Sequence, residues 1–515
     1  MLQVIDSLSL PEAYPELTTH IDVTQTQMSI VFLTDKYAYK IKKPVNLGYV
    51  DYTTLENRRY FCQKEIELNR RLCPEIYLGV VPITKKGSRY YIGGEGEVVE
   101  YAVRMLRLPE ERMMNRLLEI DQVNDEMLWK LSQKLAQFHL KAPTDKTISK
   151  FGSIDVISQN NEENLSQMNG YVGRTISPPL YQKIAEFTRG FISQNSELLT
   201  KRCAEGKIRD CHGDLHSAHI CFTNGICIYD CIEFNDRFRY CDVASELAFL
   251  AMDIDHYGKA ALSNQMVKYY ISLGQDVEIA SLLKFYKCYR ACVRGKVHNF
   301  QLDDPNIEEK TNIQKIAEGY FDLAFAYTWK NPVLFITTGL VGSGKTTLAQ
   351  ALAKNLGAVV LSSDRIRKEL AGMPPEEHAY STPEGGIYSA QFTRITYQKM
   401  FDTAREYLKD GISVILDASF INKEYRLMAM KLAQDEGADF LFLECQLDDK
   451  AIQERLLKRL ESSAISDGRW EIYEYQRKVF EPITETDEKN RVTIDSSEKV
   501  DNLVRKVVKK LSERD

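Results

Sequence analysis

Long apolar runs are missing from this 515-residue chain. Nowhere do about 18 apolar residues follow one another, the length a membrane-spanning helix needs, so no span is expected. The opening segment, MLQVIDSLSLPEAYPEL, lacks both the basic start and the apolar core of a secretory signal, and a cytoplasmic location is the expectation. Zinc-type cysteine spacing is missing too. The eleven cysteines are an odd number, and although six lie between Cys203 and Cys241, none forms a CxxC pair. Reduced, partly buried thiols are expected instead of a structural zinc. There is no internal repeat and no low-complexity tract. An excess of positive charge is also absent. The net charge of −6 argues against non-specific binding to nucleic acid, although a local basic groove would not show in that sum.

What is present is an ordinary globular composition, 44% hydrophobic and 27% charged, on a chain too long for one hydrophobic core. The stretch QLDDPNIEEKTNI (301–313) is polar, acidic and without apolar period. It leads into the helical segment IAEGYFDLAFAYTWKNP, which stops at Pro332, and then into the apolar strand VLFITTG. Two domains are therefore expected, spanning 1–328 and 329–515.

The second domain carries the strongest signal. Gly339-Leu340-Val341-Gly342-Ser343-Gly344-Lys345-Thr346 fits G-x-x-x-x-G-K-[ST] in full, with a strand before it and the amphipathic helix TTLAQALAKNL after it. Its glycines let the backbone curl so that N–H groups point at phosphates, and the helix N-terminus adds partial positive charge. Gly339, Gly342, Ser343, Gly344, Lys345, Thr346 and Thr347 are the expected nucleotide-binding residues. Lys345 reaches the β- and γ-phosphates and the Thr346 hydroxyl ligates Mg2+. The next strand, AVVLSSD, places Asp364 at its C-terminal end, facing the crevice where such sheets bind ligands. Asp364 is read as a base for an acceptor hydroxyl, with Arg367 one turn on holding an anionic group; the alternative is that Asp364 only caps the helix. Asp417, at the end of SVILD, reads as the Walker-B carboxylate holding Mg2+ through water, or else as an acceptor ligand. Arg455 and Arg459, spaced i, i+4, suit a lid over the transferring group, or a solvated helix face.

The order of these motifs resembles small-substrate P-loop kinases: gluconate kinase, the zeta-toxin kinases and polynucleotide 5′-hydroxyl kinase. The resemblance covers most of residues 333–485. It implies that Asp364 activates the acceptor, Arg367 positions it, and Arg455 and Arg459 belong to a lid.

The first domain holds a second constellation. His212-Gly213-Asp214 is followed by His219 and then by Asp230, at the end of the apolar strand ICIYD. Phosphoryl transfer to a hydroxyl needs one carboxylate near the acceptor and others on the metal ions, and Asp214 and Asp230 are spaced for those roles. In VFLTDKYAYKIKKPV, Ala38 and Lys40 share one side of a strand, and Glu65 on the following helix is a partner for Lys40. These features resemble the aminoglycoside-phosphotransferase branch of the protein-kinase-like fold over about residues 25–300. The resemblance implies that Lys40 contacts phosphates and is held by Glu65, that Asp214 is the base and that Asp230 binds Mg2+. LAQFHL around His139 and YCDVASEL around Asp242 also look like that branch. Two departures stand out. His219 occupies the place of a metal-binding Asn, and TQTQMSIVFL has no glycine where a phosphate-covering loop belongs.

Together the domains resemble bacterial fusions of an aminoglycoside-phosphotransferase-like domain to a P-loop kinase. The expected fold is an α+β two-lobed protein-kinase-like domain followed by an α/β P-loop domain with a parallel sheet. The expected function is a bifunctional, Mg2+-dependent phosphotransferase using ATP, or GTP, on a hydroxyl of a metabolite, a nucleoside or a nucleic-acid end. The alternative is one active P-loop kinase governed by a catalytically weak kinase-like sensor.

Overall fold

The computed structural model describes residues 1–514 apart from 224, 306, 308, 375, 376, 378–384 and 461–469. The chain divides into two compact units, each assembled from several segments. The first comprises Met1–Glu162, Gly190–Asp253 and Asn264–Tyr286; the second comprises Glu163–Arg189, Ile254–Ser263 and Lys287–Asp515.

The first unit opens on strands β1 (Asp22–Gln25), β2 (Ser29–Leu33), β3 (Tyr37–Lys42), β4 (Tyr77–Lys86), β5 (Arg89–Ile92) and β6 (Glu97–Leu106). They form one antiparallel sheet in the order β1-β2-β3-β6-β4-β5. Strand alternation sends the side chains of β3 to two cores. Tyr39 and Ile41 pack with Val4, Leu8, Ile30, Phe32 and Tyr90 on one face. On the other, Ala38 packs with Cys62 and Ile66 of the helix Leu55–Asn69, and with Val103 and Met105. Thr54 starts that helix, its hydroxyl accepting the Asn57 amide at 3.1 Å. Lys40 and Lys42 lie on the helix-facing side, in line with Ala38.

Further along come β7 (Ile208–Asp210), β8 (Ile220–Phe222), β9 (Ile226–Ile228) and β10 (Tyr240–Asp242), pairing as two short antiparallel ladders, β7 with β10 and β8 with β9. They carry the His212–Asp214 turn and the segment that ends in Asp230. Cys73 and Cys227 are joined by a disulfide, with Cα atoms 4.8 Å apart. This corrects the expectation that all the thiols are reduced. The loop after the helix Leu55–Asn69 meets β9 in a small core of Cys73, Met113, Cys221 and Cys227, a contact between residues 154 apart in sequence that no spacing rule reveals.

The second unit contains β11 (Val333–Thr338), β12 (Val359–Ser362), β13 (Val414–Asp417), β14 (Asp439–Gln446) and β15 (Arg491–Asp495). All pair in parallel, in the order β12-β13-β11-β14-β15. Strand β11 is buried at every position, as a central strand of a sheet covered on both faces must be. Leu334, Ile336, Leu416 and Phe442 from the strands meet Met400, Phe401 and Leu432 from the helices Ala390–Lys409 and Lys423–Asp435. No helix among the described residues is long and apolar enough to cross a membrane.

Candidate functional sites

At the C-terminal end of β11 the chain turns through three glycines in the left-handed region, with φ of +137° at Gly339, +84° at Gly342 and +87° at Gly344. A Cβ on Gly339 would stand 2.4 Å from the Cys445 carbonyl oxygen. Only glycine lets the turn lie this close to β14. The helix Lys345–Leu356 follows directly. Lys345 Nζ donates to the Leu340 carbonyl at 2.8 Å, so the ammonium folds over the turn it follows. The Thr346 hydroxyl donates to Asp417 Oδ2 at 2.8 Å, and the Thr337 hydroxyl approaches the other oxygen at 3.4 Å. Thr347 is exposed beside Thr346 at the helix start.

Asp417 is 3% exposed, and burial raises its pKa above the ordinary carboxylate value against the pull of Thr346 and Lys345. Asp364 also raises it, so the two carboxylates sense each other's charge. The register explains their proximity. Ser362 of β12 stands opposite Asp417 of β13, and Asp364 follows two residues later in the first turn of the helix Ser363–Leu370. Arg367, buried on the same helix, donates through Nη1 to the Ile387 carbonyl at 2.7 Å and to the Thr393 hydroxyl at 3.1 Å. Its guanidinium lies 4.9 Å from the Tyr388 ring centre. Arg455 donates to the Ser496 carbonyl at 2.7 Å, and a Cβ on Gly344 would be 3.3 Å from its Nη1. It therefore flanks the glycine turn. The side chain of Arg459 lies outside the described residues, as do residues 461–469.

These residues fit a nucleotide and Mg2+. The glycine turn is a cradle that a Cβ would obstruct, the buried Ser343 Oγ has no hydrogen-bond partner among the described residues, and Thr346 with Asp417 offers only oxygen donors.

The first unit gathers the other constellation. Lys40 Nζ lies 2.5 Å from Asp230 Oδ1 and 3.0 Å from Glu65 Oε1. Lys42 Nζ takes the second Glu65 oxygen at 2.7 Å and also meets Glu233, which accepts from the Tyr52 hydroxyl at 2.7 Å. Burial disfavours both ammonium charges, yet Asp230 at Lys40, Glu233 at Lys42 and Glu65 at both outweigh it, so both lysines stay well above their ordinary pKa. Asp230 sits at φ +63°, a conformation rare for a residue with a side chain. Its carboxyl is held far below the usual range: burial opposes ionisation, and Lys40 and His219 more than offset it.

His219 lies between the two carboxylates expected to act. Its Nε2 is 3.5 Å from Asp230 Oδ2, and its Nδ1 is 3.7 Å from Asp214 Oδ2. Burial first, and His216 second, push its pKa down to about 4. Glu246 accepts from the His212 amide at 2.7 Å and the Gly213 amide at 3.1 Å, tying down the turn that presents Asp214. Burial pushes the Glu246 carboxyl up, but His139 and His212 bring it down to about 2. His139 Nε2 is 3.5 Å from Glu246, and Asp242 is doubly bonded to the fully buried Arg202.

The structure thus brings Lys40, Glu65, Asp214, His219 and Asp230 into one cluster, and Lys345, Thr346, Asp364 and Asp417 into another. Sequence reasoning missed Lys42, Tyr52, Glu233, His216 and Glu246. Lys42 had a signal, since it shares the face of Lys40 at i+2. His216 lies within three residues of Asp214 and His219, while Tyr52, Glu233 and Glu246 are set by contacts across the fold.

Residues 334–483 match the family model described as an AAA domain. The uncharacterized protein Rv2004c of Mycobacterium tuberculosis is 30% identical over 441 residues, covering 85% of this chain and 86% of that protein. The uncharacterized protein Mb2027c of Mycobacterium bovis matches to the same extent. The chain belongs to the same family as these mycobacterial proteins. Among solved structures, the Mycobacterium tuberculosis APS kinase CysC is 21% identical, with a TM-score of 0.27, covering 36% of this chain and 98% of that one. A gluconokinase from Sinorhizobium meliloti is 18% identical, with a TM-score of 0.24, covering 36% and 94%.

Proposed function

We propose that this member of the family is an ATP-dependent phosphotransferase with two sites, each moving a γ-phosphoryl group to a hydroxyl. The first activity is assigned to residues 1–328, as a two-lobed kinase-like domain, and the second to 329–515. The observation that carries the reading at the second site is the Thr346–Asp417 hydrogen bond of 2.8 Å next to a three-glycine turn, with Lys345 folded over that turn.

In the second site Lys345 leaves the Leu340 carbonyl for the phosphates, and the backbone amides of the turn orient the nucleotide. Thr346 and Asp417 would hold Mg2+, which would supply charge neutralisation on the phosphate oxygens. Asp364 takes the proton of the acceptor hydroxyl, and Arg367 holds the acceptor in place. Arg455, beside Gly344, closes the nucleotide side, and Arg459 follows it on the helix Asp449–Leu460, which forms the lid. In the first site Lys40 binds phosphate while Glu65 orients it, Asp214 is the base, and Asp230 with His219 holds the cation.

A second reading has a specific observation behind it. The β1–β2 connection is a tight hairpin without glycine, closed by the Thr26 amide on the Ser29 carbonyl at 2.9 Å, and Lys40 is already engaged by Asp230. These features favour a weak first site that senses ligands for an active P-loop kinase. Calorimetric titration of ATP·Mg2+ into the wild type, Lys345→Ala and Asp230→Ala separates the two. Two sites, one lost in each variant, are expected. A single site lost only in Lys345→Ala would leave the first domain as a sensor.

A further inference from the structure

We infer that the cation held by His219 Nε2 and Asp230 Oδ2 in the first site is a divalent transition cation of the Mn2+ to Zn2+ range, chemically distinct from that of the all-oxygen site at Thr346 and Asp417. The inference rests on the proposed function for the cation's location and goes beyond it in the cation's identity.

The tautomer of His219 is the first step. Its Nδ1 lies 2.9 Å from the Asp214 backbone carbonyl oxygen, which can only accept. Nδ1 therefore carries the proton, and in the neutral ring the lone pair sits on Nε2. A ring N–H donated to a backbone carbonyl is also the arrangement that orients metal-bound histidines.

That lone pair faces Asp230 Oδ2 at 3.5 Å. Two acceptors then confront each other with no proton between them. Were the ring an imidazolium, its Nε2–H would make a charge-assisted bond to the carboxylate, and such bonds close to about 2.7–2.9 Å. A cation bound to both explains the spacing. Metal–nitrogen and metal–oxygen bonds of about 2.1 Å at a tetrahedral angle place their donor atoms roughly 3.4 Å apart. Lys40 occupies the other oxygen, Oδ1, at 2.5 Å, and fixes which one is turned to His219.

More donors stand beside His219. Asp214, His216 and His219 each place a ligand atom within 4.8 Å of the others. His216 Nε2 is 3.6 Å from Asp214 Oδ2, and the His216 and His219 rings are 3.9 Å apart. Imidazole suits Mn2+, Co2+ and Zn2+ increasingly well, whereas Mg2+ demands oxygen. The imidazole and carboxylate of His219 and Asp230 are a mixed pair of the former kind, with His216 and Asp214 beside His219 and outside the pair. Asp230 is about one-third exposed while His219 is mostly buried, so the cation has an open side for a phosphate or water ligand.

The test uses the full chain without nucleotide. Zn2+, Mn2+ and Mg2+ are titrated separately by calorimetry, and bound Mn2+ is examined by pulsed electron paramagnetic resonance for coupling to imidazole nitrogen. One Zn2+ or Mn2+ per chain is expected, bound at least about tenfold more tightly than Mg2+, with nitrogen coupling present. His219→Asn, which keeps the bulk and supplies an oxygen, should weaken Zn2+ by about 10- to 100-fold and bring the Zn2+ and Mg2+ affinities together, with the fold checked by circular dichroism. Absence of Zn2+ and Mn2+ binding, or binding that His219→Asn leaves unchanged, or Mn2+ without nitrogen coupling, overturns the inference while leaving an Asp230-dependent ATP site intact. Tight Zn2+ binding without any Asp230-dependent ATP site supports the inference and overturns phosphoryl transfer by the first domain.

Discussion

Asp364 stands in the first turn of its helix, close enough to Asp417 for their charges to interact, and this tests its role directly. As the proposed general base it would act on the acceptor proton and contribute little to holding ATP. Asp364→Asn should keep nucleotide affinity and lower turnover by about 10²–10⁴-fold. An unchanged rate would make Asp364 a helix-terminus charge only. Lys345→Ala should instead remove nucleotide from the second site, read as the loss of one calorimetric transition. At this scale the sequence was most legible where chemistry requires one residue type at one spacing, as with Lys345, Thr346 and the pairing of Lys40 with Glu65. It was least legible where partners come from distant segments. Glu233 and Tyr52 join Lys42 across the fold, and nothing in their local pattern marks them. The tautomer of His219 depends on a backbone carbonyl five residues earlier, which only the folded turn brings to 2.9 Å.

Elements carry a different kind of constraint, because a turn works only when its backbone fits between strands. Gly339 at φ +137° has the Cys445 carbonyl where a Cβ would be. Gly339→Ala should therefore displace the turn from β14, lowering the Tm and weakening ATP binding together, whereas a change confined to the phosphates would alter binding alone. The strand–turn–helix order around this glycine was readable from sequence, since the motif and the flanking periodicity agree. The Cys73–Cys227 disulfide was not, because it depends on how a loop packs against β9. The helix Lys310–Ala326 carries a further element-scale effect at Asp322, beside Glu318 and Arg505. Burial first, and Glu318 second, push the Asp322 carboxyl up to about 8. An unfolded chain releases that proton near pH 4, so between about pH 4 and 8 the unfolded state holds fewer protons and stability falls as pH rises. Asp322→Asn removes this penalty, and thermal unfolding should show a larger Tm gain at pH 8 than at pH 5.

At the scale of the whole molecule, the second unit is not contiguous in sequence: Glu163–Arg189, Ile254–Ser263 and the stretch from Lys287 onward contribute to it. The segments before the sheet carry real packing. The helix Lys310–Ala326 buries Ala317, Tyr320, Phe321, Leu323, Ala324 and Phe325, and Leu323 lies against Gly357 at the end of the helix Lys345–Leu356. Asp255, from a second inserted segment, accepts from Lys287 Nζ at 2.7 Å and from the Tyr327 hydroxyl at 2.5 Å. Cutting the chain at 329 exposes that apolar helix-packing surface, each large side chain worth about 1.5–3 kcal/mol of burial. The fragment 329–515 retains every residue assigned to the second site, so its chemistry and its stability come apart. We expect it to bind ATP with a Tm well below that of the same domain in the full chain, and a fragment beginning at 287 to recover part of the difference. Equal Tm values for the two fragments would mean that the helix Lys310–Ala326 rides on the P-loop domain without stabilising it. The nucleotide site would then be an autonomous folding unit, and the inserted segments would have to be explained by something other than packing.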